Sequence, residues 1–173
     1  LIFKKNPIKG FQNDYILFIP KGKILAQYHQ YYGMKKAINS VINAVDNDGR
    51  AGVVWHTQGS GKSFSMTFLA GNLIKNKRLE SPTILVITDR NDLDDQLFST
   101  FCSASEFLRQ EPIKCDSRAD VKEILEGRKT GGVVFSTIQK FEEETGLLSN
   151  RKNIIVMVDE AHRTQYNLDG KLD

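Results

Sequence analysis

The fold is decided by a glycine-rich stretch and the apolar residues before it: Val53-Val54-Trp55-His56-Thr57-Gln58-Gly59-Ser60-Gly61-Lys62-Ser63. Residues 53–55 are β-branched or aromatic, which predicts a strand buried on both faces. Apolar residues then recur at helical spacing from Phe64 onward. A glycine-rich turn between a strand and a helix is the setting of a phosphate-binding loop. Because Gly59 and Gly61 lack a Cβ, successive backbone N–H groups can point inward at an anion, aided by the helix dipole.

The residue types of this stretch suit different parts of a bound nucleotide. Lys62 would reach the β and γ phosphates of ATP, and the Ser63 hydroxyl would ligate Mg²⁺. The stretch departs from the pattern GxxxxGK(S/T) at one position, because His56 stands where the first glycine is expected. A variant of the pattern, AxxGxGK(S/T), tolerates another residue there. We therefore predict nucleotide contacts from the seven residues of the turn: Thr57, Gln58, Gly59, Ser60, Gly61, Lys62 and Ser63.

Four short apolar runs alternate with helical patterns along the chain. They are continuous rather than alternating, as in strands buried on both faces, and cover residues 53–55, 84–87, 133–135 and 154–158. Alternating strands and helices predict an α/β fold, a mostly parallel sheet with helices on both faces. An amphipathic helix over residues 37–45 precedes the first run, and residues 15–19 are predicted to form one strand or short helix within a connecting segment.

Polar residues follow each of the four apolar runs. They occupy residues 57–63, 88–90, 136–139 and 159–162. In an open α/β sheet, ligands bind beyond the carboxyl ends of the strands, and parallel strands end at the same edge. We therefore expect all four polar clusters to meet at one edge of the sheet.

Two adjacent carboxylates, Asp159 and Glu160, follow the most apolar run. At the exit of the strand, Asp159 can face Mg²⁺ while Glu160 reaches the water beyond the γ phosphate. The division of labour would be metal positioning by Asp159 and activation of water by Glu160. A small-molecule kinase also uses a phosphate-binding loop, but it excludes water and needs no carboxylate to activate it. The pair therefore favours hydrolysis, with Lys62, Asp159 and Glu160 as the catalytic residues.

Five segments carry a resemblance to a known family. The GSGKS and DEAH sequences at residues 59–63 and 159–162 resemble motifs I and II of superfamily 2 helicases and translocases, whose motif I follows the AxxGxGK(S/T)-like variant. With YHQYY at 28–32, TDRNDLDDQL at 88–97 and TIQKF at 137–141, they resemble the motor and restriction subunit of type I restriction-modification enzymes. The resemblance covers most of the chain, and five motifs in order are far more specific than one phosphate-binding loop.

The resemblance implies roles for residues outside the loop and the carboxylate pair. Gln30 matches a glutamine whose amide pairs with N6 and N7 of adenine and so selects ATP. Two alternatives stay open: Gln27 is the true reader of the base, or Gln30 is an ordinary exposed helix residue. His162 matches the last position of the DEAH box, which links the ATP site to later motifs.

The resemblance also implies a face for DNA. Thr88 and Arg90 match motif Ia, and Thr137 and Gln139 match a motif similar to Ib. In such motors these segments contact the nucleic acid, and contacts with phosphates are independent of sequence, as translocation requires. For Arg90 a structural alternative stays open, namely pairing with Asp89 or Asp92.

Composition sets outer limits on the function. The chain has 173 residues and a formal net charge of +3, which describes a weakly basic folded domain of ordinary composition. Its longest apolar run, residues 154–158, is far shorter than the roughly 18 to 20 residues that a membrane span needs, and the sequence shows no signal peptide. Cys102 and Cys115 lack the spacing of a zinc site and fit a reducing cytoplasm.

We expect two segments. Residues 1–26 would connect to an upstream domain, which the resemblance implies is a nuclease. Residues 27–173 would form the first RecA-like motor domain of the family, ending before motif III. A second RecA domain supplies arginine fingers, which can contribute on the order of 10³ to 10⁵ in rate, so we expect the fragment alone to hydrolyse ATP poorly.

Three hypotheses about function follow. The first is an ATP-dependent translocase domain for double-stranded DNA, whose whole subunit cleaves DNA far from the recognition site and works with methylation and specificity subunits. The second is a related superfamily 2 enzyme, such as a type III restriction subunit or a stand-alone helicase. The third is a phosphate-loop module that binds nucleotide without hydrolysing it.

Overall fold

The computed structural model describes residues 14–57, 59–89, 91–141 and 147–160. The described part opens with an antiparallel hairpin, β1 (Ile16–Ile19) and β2 (Gly22–Leu25), which confirms a strand at the predicted place. Tyr15, Leu17 and Ala26 are buried in the main core, so the hairpin packs against the α/β body. The division of the chain at residue 26 stays a prediction.

A four-stranded parallel sheet forms the centre of the described structure. Its strands are β3 (Thr83–Thr88), β4 (Ile113–Lys114), β5 (Val133–Thr137) and β6 (Ile154–Val158), in the spatial order β4-β5-β3-β6. Every residue of β3 and β5 is buried, as the continuous apolar runs predict for strands covered on both faces. Three of the four predicted sheet strands are therefore confirmed.

The fourth predicted strand, at residues 53–55, is wrong for this structure. Residues 51–57 have no regular secondary structure, and Val53 and Trp55 are 87% and 85% exposed. A strand needs a neighbour for its backbone N–H and C=O groups. Among the described residues β6 pairs only with β3, and residues 53–55 pair with no strand that could supply those hydrogen bonds.

Helices cover both faces of the sheet, which confirms the predicted α/β class. They are α1 (Tyr28–Val45), α2 (Lys62–Lys75), α3 (Asn91–Ser103), α4 (Ser105–Leu108) and α5 (Arg118–Gly127), with 3₁₀ turns at Lys77–Leu79 and Ile138–Phe141. The larger core joins α1 to α4 with one face of the sheet, and a smaller core joins α5 with the other face. The start of α5 is capped, because Ser117 Oγ accepts a hydrogen bond from Asp120 N at 3.1 Å.

Gly71 lets α2 pack closely against α4. A Cβ added there would lie 2.1 Å from Cε1 of Phe107, whose ring stacks edge to face with Phe68 and lies 3.6 Å from Lys75 Nζ. The contact between these two helices therefore depends on the absence of a side chain at position 71. Packing therefore requires glycine at position 71, although helices intrinsically favour alanine over glycine.

We expect Gly71→Ala to destabilise the domain. Alanine would favour the helix by about 1 kcal/mol, but overpacking against Phe107 costs about 1–3 kcal/mol. The matched control is Gly33→Ala in α1, where an added Cβ meets nothing within 4 Å and only the helix preference applies. The urea midpoint of unfolding should fall for Gly71→Ala and rise for Gly33→Ala, and a rise for both would contradict the packing argument.

Candidate nucleotide site

The polar residues that follow the strands meet at one edge of the sheet. Thr88 pairs with Thr137 in the register of β3 and β5, and Asp159 N donates to Ile87 O at 2.8 Å beyond the end of β6. Side chains alternate along a strand, so Thr88 and Thr137 lie on the same face as the core residues Val86 and Phe135. That is the face covered by α2, which begins at the glycine-rich loop.

Lys62 joins the loop to the two carboxylates. Its Nζ lies 2.6 Å from Asp159 Oδ1 and also forms an ion pair and a hydrogen bond with Glu160 Oε1. Burial alone would lower the pKa of Lys62, but the hydrogen bonds and charges of the two carboxylates outweigh burial and raise that pKa above its usual value. Lys62 is therefore a cation held between two acids that lie 97 and 98 residues further along the chain.

The backbone at Glu160 explains how both acids reach the same lysine. Adjacent side chains on a strand point in opposite directions. Glu160 has a φ of 53°, in the left-handed region, and its N–H donates to Asp159 Oδ1 at 3.0 Å. This sharp turn at the end of β6 breaks the alternation and brings both carboxylates to Lys62. Such a conformation costs on the order of 1–3 kcal/mol for a non-glycine residue and is found disproportionately at functional sites.

The loop before α2 has the backbone shape that its glycines predict. Gly59 and Gly61 have φ angles of 77° and 79°, which residues with a Cβ rarely adopt. Gly61 is the N-cap of α2, and a Cβ there would also lie 2.8 Å from Gln30 Nε2. The first N–H groups of a helix have no partner within it, so the start of α2 can offer such groups to an anion.

Ser60 forms hydrogen bonds that connect the loop to nearby side chains. Its Oγ donates to Thr57 O at 2.6 Å and lies 3.0 Å from His56 Nδ1. Its backbone carbonyl accepts a hydrogen bond from His29 Nε2 at 3.2 Å. Burial lowers the pKa of His56, and the charges of His29 and Lys62 lower it further, so His56 is neutral near pH 7.

Both ends of the Gln30 amide form hydrogen bonds, one with the glycine-rich loop and one with the start of α1. It is 4% exposed, its Nε2 donates to Gly61 O at 3.0 Å, and its Oε1 accepts from Gln27 N at 2.9 Å. Gln27 is exposed and is the N-cap of α1. The structure therefore places Gln30 beside the glycine-rich loop, where it ties α1 to that loop. Recognition of adenine by Gln30 stays a prediction.

The residues predicted to contact DNA differ in their exposure. Thr88 and Thr137 are 2% and 3% exposed, whereas Gln139 is exposed and its Nε2 donates to Asp89 O at 2.6 Å. Gln139 thus connects the segments that follow β3 and β5. Arg90 lies outside the described residues, as do Gln58 and His162 of the predicted nucleotide site.

The residues at this edge fit a magnesium ion. Mg²⁺ prefers oxygen ligands and keeps several waters. Asp159 offers a carboxylate, and Ser63, in the first turn of α2, offers a hydroxyl. In the adjacent strand Thr88 Oγ1 is buried without a hydrogen-bond partner in the described structure, on the same face as Asp159. A buried hydroxyl of this kind is commonly satisfied by water or an ion.

Two residues of the site were not predicted from the sequence. His29 was seen only as part of a family motif, and His56 only as a departure from the glycine pattern. The available signal was the position of His56, four residues before Ser60 and within the loop itself. No feature of the sequence around His29 indicates its contact with Ser60, which lies 31 residues further along the chain.

The fold and the site define a RecA-like ATPase domain. Residues 29–172 match the family model described as SWI2/SNF2 ATPase, and the chain belongs to that family. No described helix combines the length and the apolar character needed to cross a membrane.

The chain is also similar to curated type I restriction enzyme subunits. It is 51% identical over 157 residues to the type I restriction enzyme HindI endonuclease subunit of Haemophilus influenzae. The aligned residues cover 87% of this chain and 15% of that protein. It is 39% identical over 95% of its length to a Methanocaldococcus jannaschii protein provisionally named the type I restriction enzyme MjaIXP endonuclease subunit, and covers 16% of it. For the SauCOLORF180P endonuclease subunit of Staphylococcus aureus, the identity is 27% over 75% of the chain and 14% of that protein.

These relatives confirm the resemblance drawn from the five motifs. The chain spans about 15% of the length of the curated relatives that it matches. No solved structure matches the chain.

Proposed function

We propose that this chain binds and hydrolyses ATP as part of a motor that moves along double-stranded DNA. The observation that carries the proposal is the contact of Lys62, at the end of the phosphate loop, with both Asp159 and Glu160. A lysine, a metal-binding carboxylate and a carboxylate able to activate water are the parts that ATP hydrolysis needs. Membership of the SWI2/SNF2 ATPase family supports the same reaction.

In this proposal each residue acts at a stated place. The N–H groups of the loop and of the first turn of α2 bind the phosphates, and Lys62 exchanges its carboxylate partners for β- and γ-phosphate oxygens. Ser63 and Asp159 hold Mg²⁺, which when bound neutralises charge on the phosphates. Glu160, released from Lys62, accepts the proton of the attacking water through its carboxylate.

We further propose that the edge of the sheet beyond β3 and β5 faces DNA. Gln139 and Asp89 connect the two segments there, and Arg90 follows directly. A shift in one segment would therefore be passed to the other, next to the residues that hold the nucleotide. Contacts through Arg90 and backbone amides would involve phosphates and be independent of DNA sequence.

The relatives suggest the setting of this activity. They are named type I restriction enzyme endonuclease subunits. We propose that the full-length protein translocates DNA and cleaves it far from the recognition site through a separate nuclease domain. Methylation and specificity subunits would be its partners. These proposed activities and partners are those of the full-length protein.

The experiment is a comparison of ATP hydrolysis by the full-length protein with and without linear duplex DNA. We expect hydrolysis to rise when DNA is added, and Arg90→Ala to reduce the salt dependence of DNA binding by about one unit of slope, since one phosphate contact is lost. The matched control is Arg78→Ala, because Arg78 pairs with Asp46 beyond the far end of α2. Hydrolysis that is indifferent to DNA would refute the motor, and an unchanged slope in Arg90→Ala would remove that residue from the DNA face.

A further inference from the structure

The hydrogen bonds around Ser60 decide which atom of His56 carries a proton. A serine hydroxyl carries one proton, and the Ser60 hydroxyl donates it to Thr57 O at 2.6 Å, a carbonyl that can only accept. The contact between Ser60 Oγ and His56 Nδ1, at 3.0 Å, therefore needs its proton from the histidine. His56 is thus fixed in the form that carries a hydrogen on Nδ1.

The result is a directed chain of hydrogen bonds inside the phosphate loop. His56 donates to Ser60, and Ser60 donates to Thr57, while Ser60 N donates to the same Thr57 carbonyl at 3.1 Å. Ser60 is therefore joined to Thr57 by one backbone and one side-chain hydrogen bond, and to His56 by a second side-chain contact. It stands directly before Gly61, where the N–H groups that face the anion begin.

We propose that His56 is a positioning residue for ATP binding, which acts by donating through Nδ1 to Ser60 Oγ and so holds the phosphate loop in its binding shape before the nucleotide arrives. This inference rests on the proposed binding of ATP. In the usual form of the motif a glycine at position 56 could make no such side-chain contact. Here the histidine supplies a cross-link within the loop that the glycine form lacks, and it lowers the ordering cost of binding.

His29 provides a contrast within the same loop. It donates to the carbonyl of Ser60 and not to the hydroxyl. Ser60→Ala would therefore remove the partner of His56 but keep the partner of His29. The two histidines can be separated by combining each substitution with Ser60→Ala.

The test measures ATP affinity and turnover in the full-length protein by titration with a fluorescent ATP analogue and by steady-state hydrolysis. We expect His56→Ala to weaken ATP binding by about 3- to 10-fold, the range that one net hydrogen bond supplies, with turnover at saturating ATP within about twofold. His56→Asn places an amide N–H near the position of Nδ1 and should recover binding to within about twofold of the wild type. The double variant His56→Ala/Ser60→Ala should bind no more weakly than Ser60→Ala, whereas the effects of His29→Ala and Ser60→Ala should multiply.

The outcomes separate this inference from the function on which it rests. If the wild-type protein does not bind ATP, the proposed function and the inference both fall. If the wild type binds ATP and His56→Ala binds equally well, or the effects of His56→Ala and Ser60→Ala multiply, the inference alone is wrong. Should His56→Ala not fold, His56→Asn decides, because normal binding supports the inference and a loss equal to that of Ser60→Ala overturns it.

Discussion

Glu160→Gln is expected to lower the rate of ATP turnover by about 10²- to 10⁴-fold, the contribution of a general base. Glutamine has nearly the same shape as glutamate but cannot accept the proton of the attacking water. Binding should persist, because Lys62 remains available to contact the phosphates and one negative charge is removed near the triphosphate. We expect ATP affinity equal to or higher than that of the wild type.

The measurement of Glu160→Gln combines single-turnover hydrolysis with an ATP titration. Its matched control is Glu126→Gln on α5, an exposed acid paired with Lys122 at 4.0 Å and remote from the loop. The control should hydrolyse ATP at the wild-type rate. If Glu160→Gln turned over ATP within about threefold of the wild-type rate, another group would be the general base, because loss of a general base lowers the rate far more than that.

Lys62→Ala is expected to weaken ATP binding by at least about 10- to 100-fold, since a hydrogen bond to a charged group contributes about 1.5–3 kcal/mol. The loss of the ammonium also leaves Asp159 and Glu160 without the cation that now lies between them. The two carboxylates, without this lysine, would repel the triphosphate in addition. The effect on binding should therefore exceed that of any neutral substitution in the loop.

Direct titration with ATP distinguishes Lys62→Ala from Glu160→Gln, since the first should lose binding and the second only turnover. Lys122→Ala serves as the control, because it removes a lysine from an exposed ion pair on α5. Such a pair contributes roughly 0–1 kcal/mol, so its loss should leave ATP affinity unchanged. ATP binding by Lys62→Ala at near wild-type strength would contradict the assignment of the loop as a phosphate site.

The location of the site could be predicted because it follows from the strands alone. Parallel strands end at a common edge, so the residues after β3, β5 and β6 had to meet wherever those strands paired. Thr88, Thr137 and Asp159 therefore lie together as the sequence predicts. The side of the sheet on which each lies could not be predicted, because strands buried on both faces show no alternation of apolar and polar residues.

Other features depend on contacts that spacing along the chain does not encode. The strand predicted at residues 53–55 fails because strand formation needs a partner, and residue preference cannot say whether one is present. The direction of the Glu160 side chain depends on a φ of 53°, an exception to the alternation that a strand implies. The attachment of Gln30 to Gly61 spans 31 residues and requires the packing of α1 on the loop.

The outer edge of β6 affects how readily this part of the protein would associate with itself. Among the described residues β6 is paired on one side only, and Val156 and Val158 are 52% and 42% exposed. The strand contains neither a charge nor a proline, the features that usually protect a free edge from adding further strands. Expressed in isolation, these residues would be prone to associate through that edge and to aggregate, whereas a longer polypeptide that covers β6 would stay monodisperse.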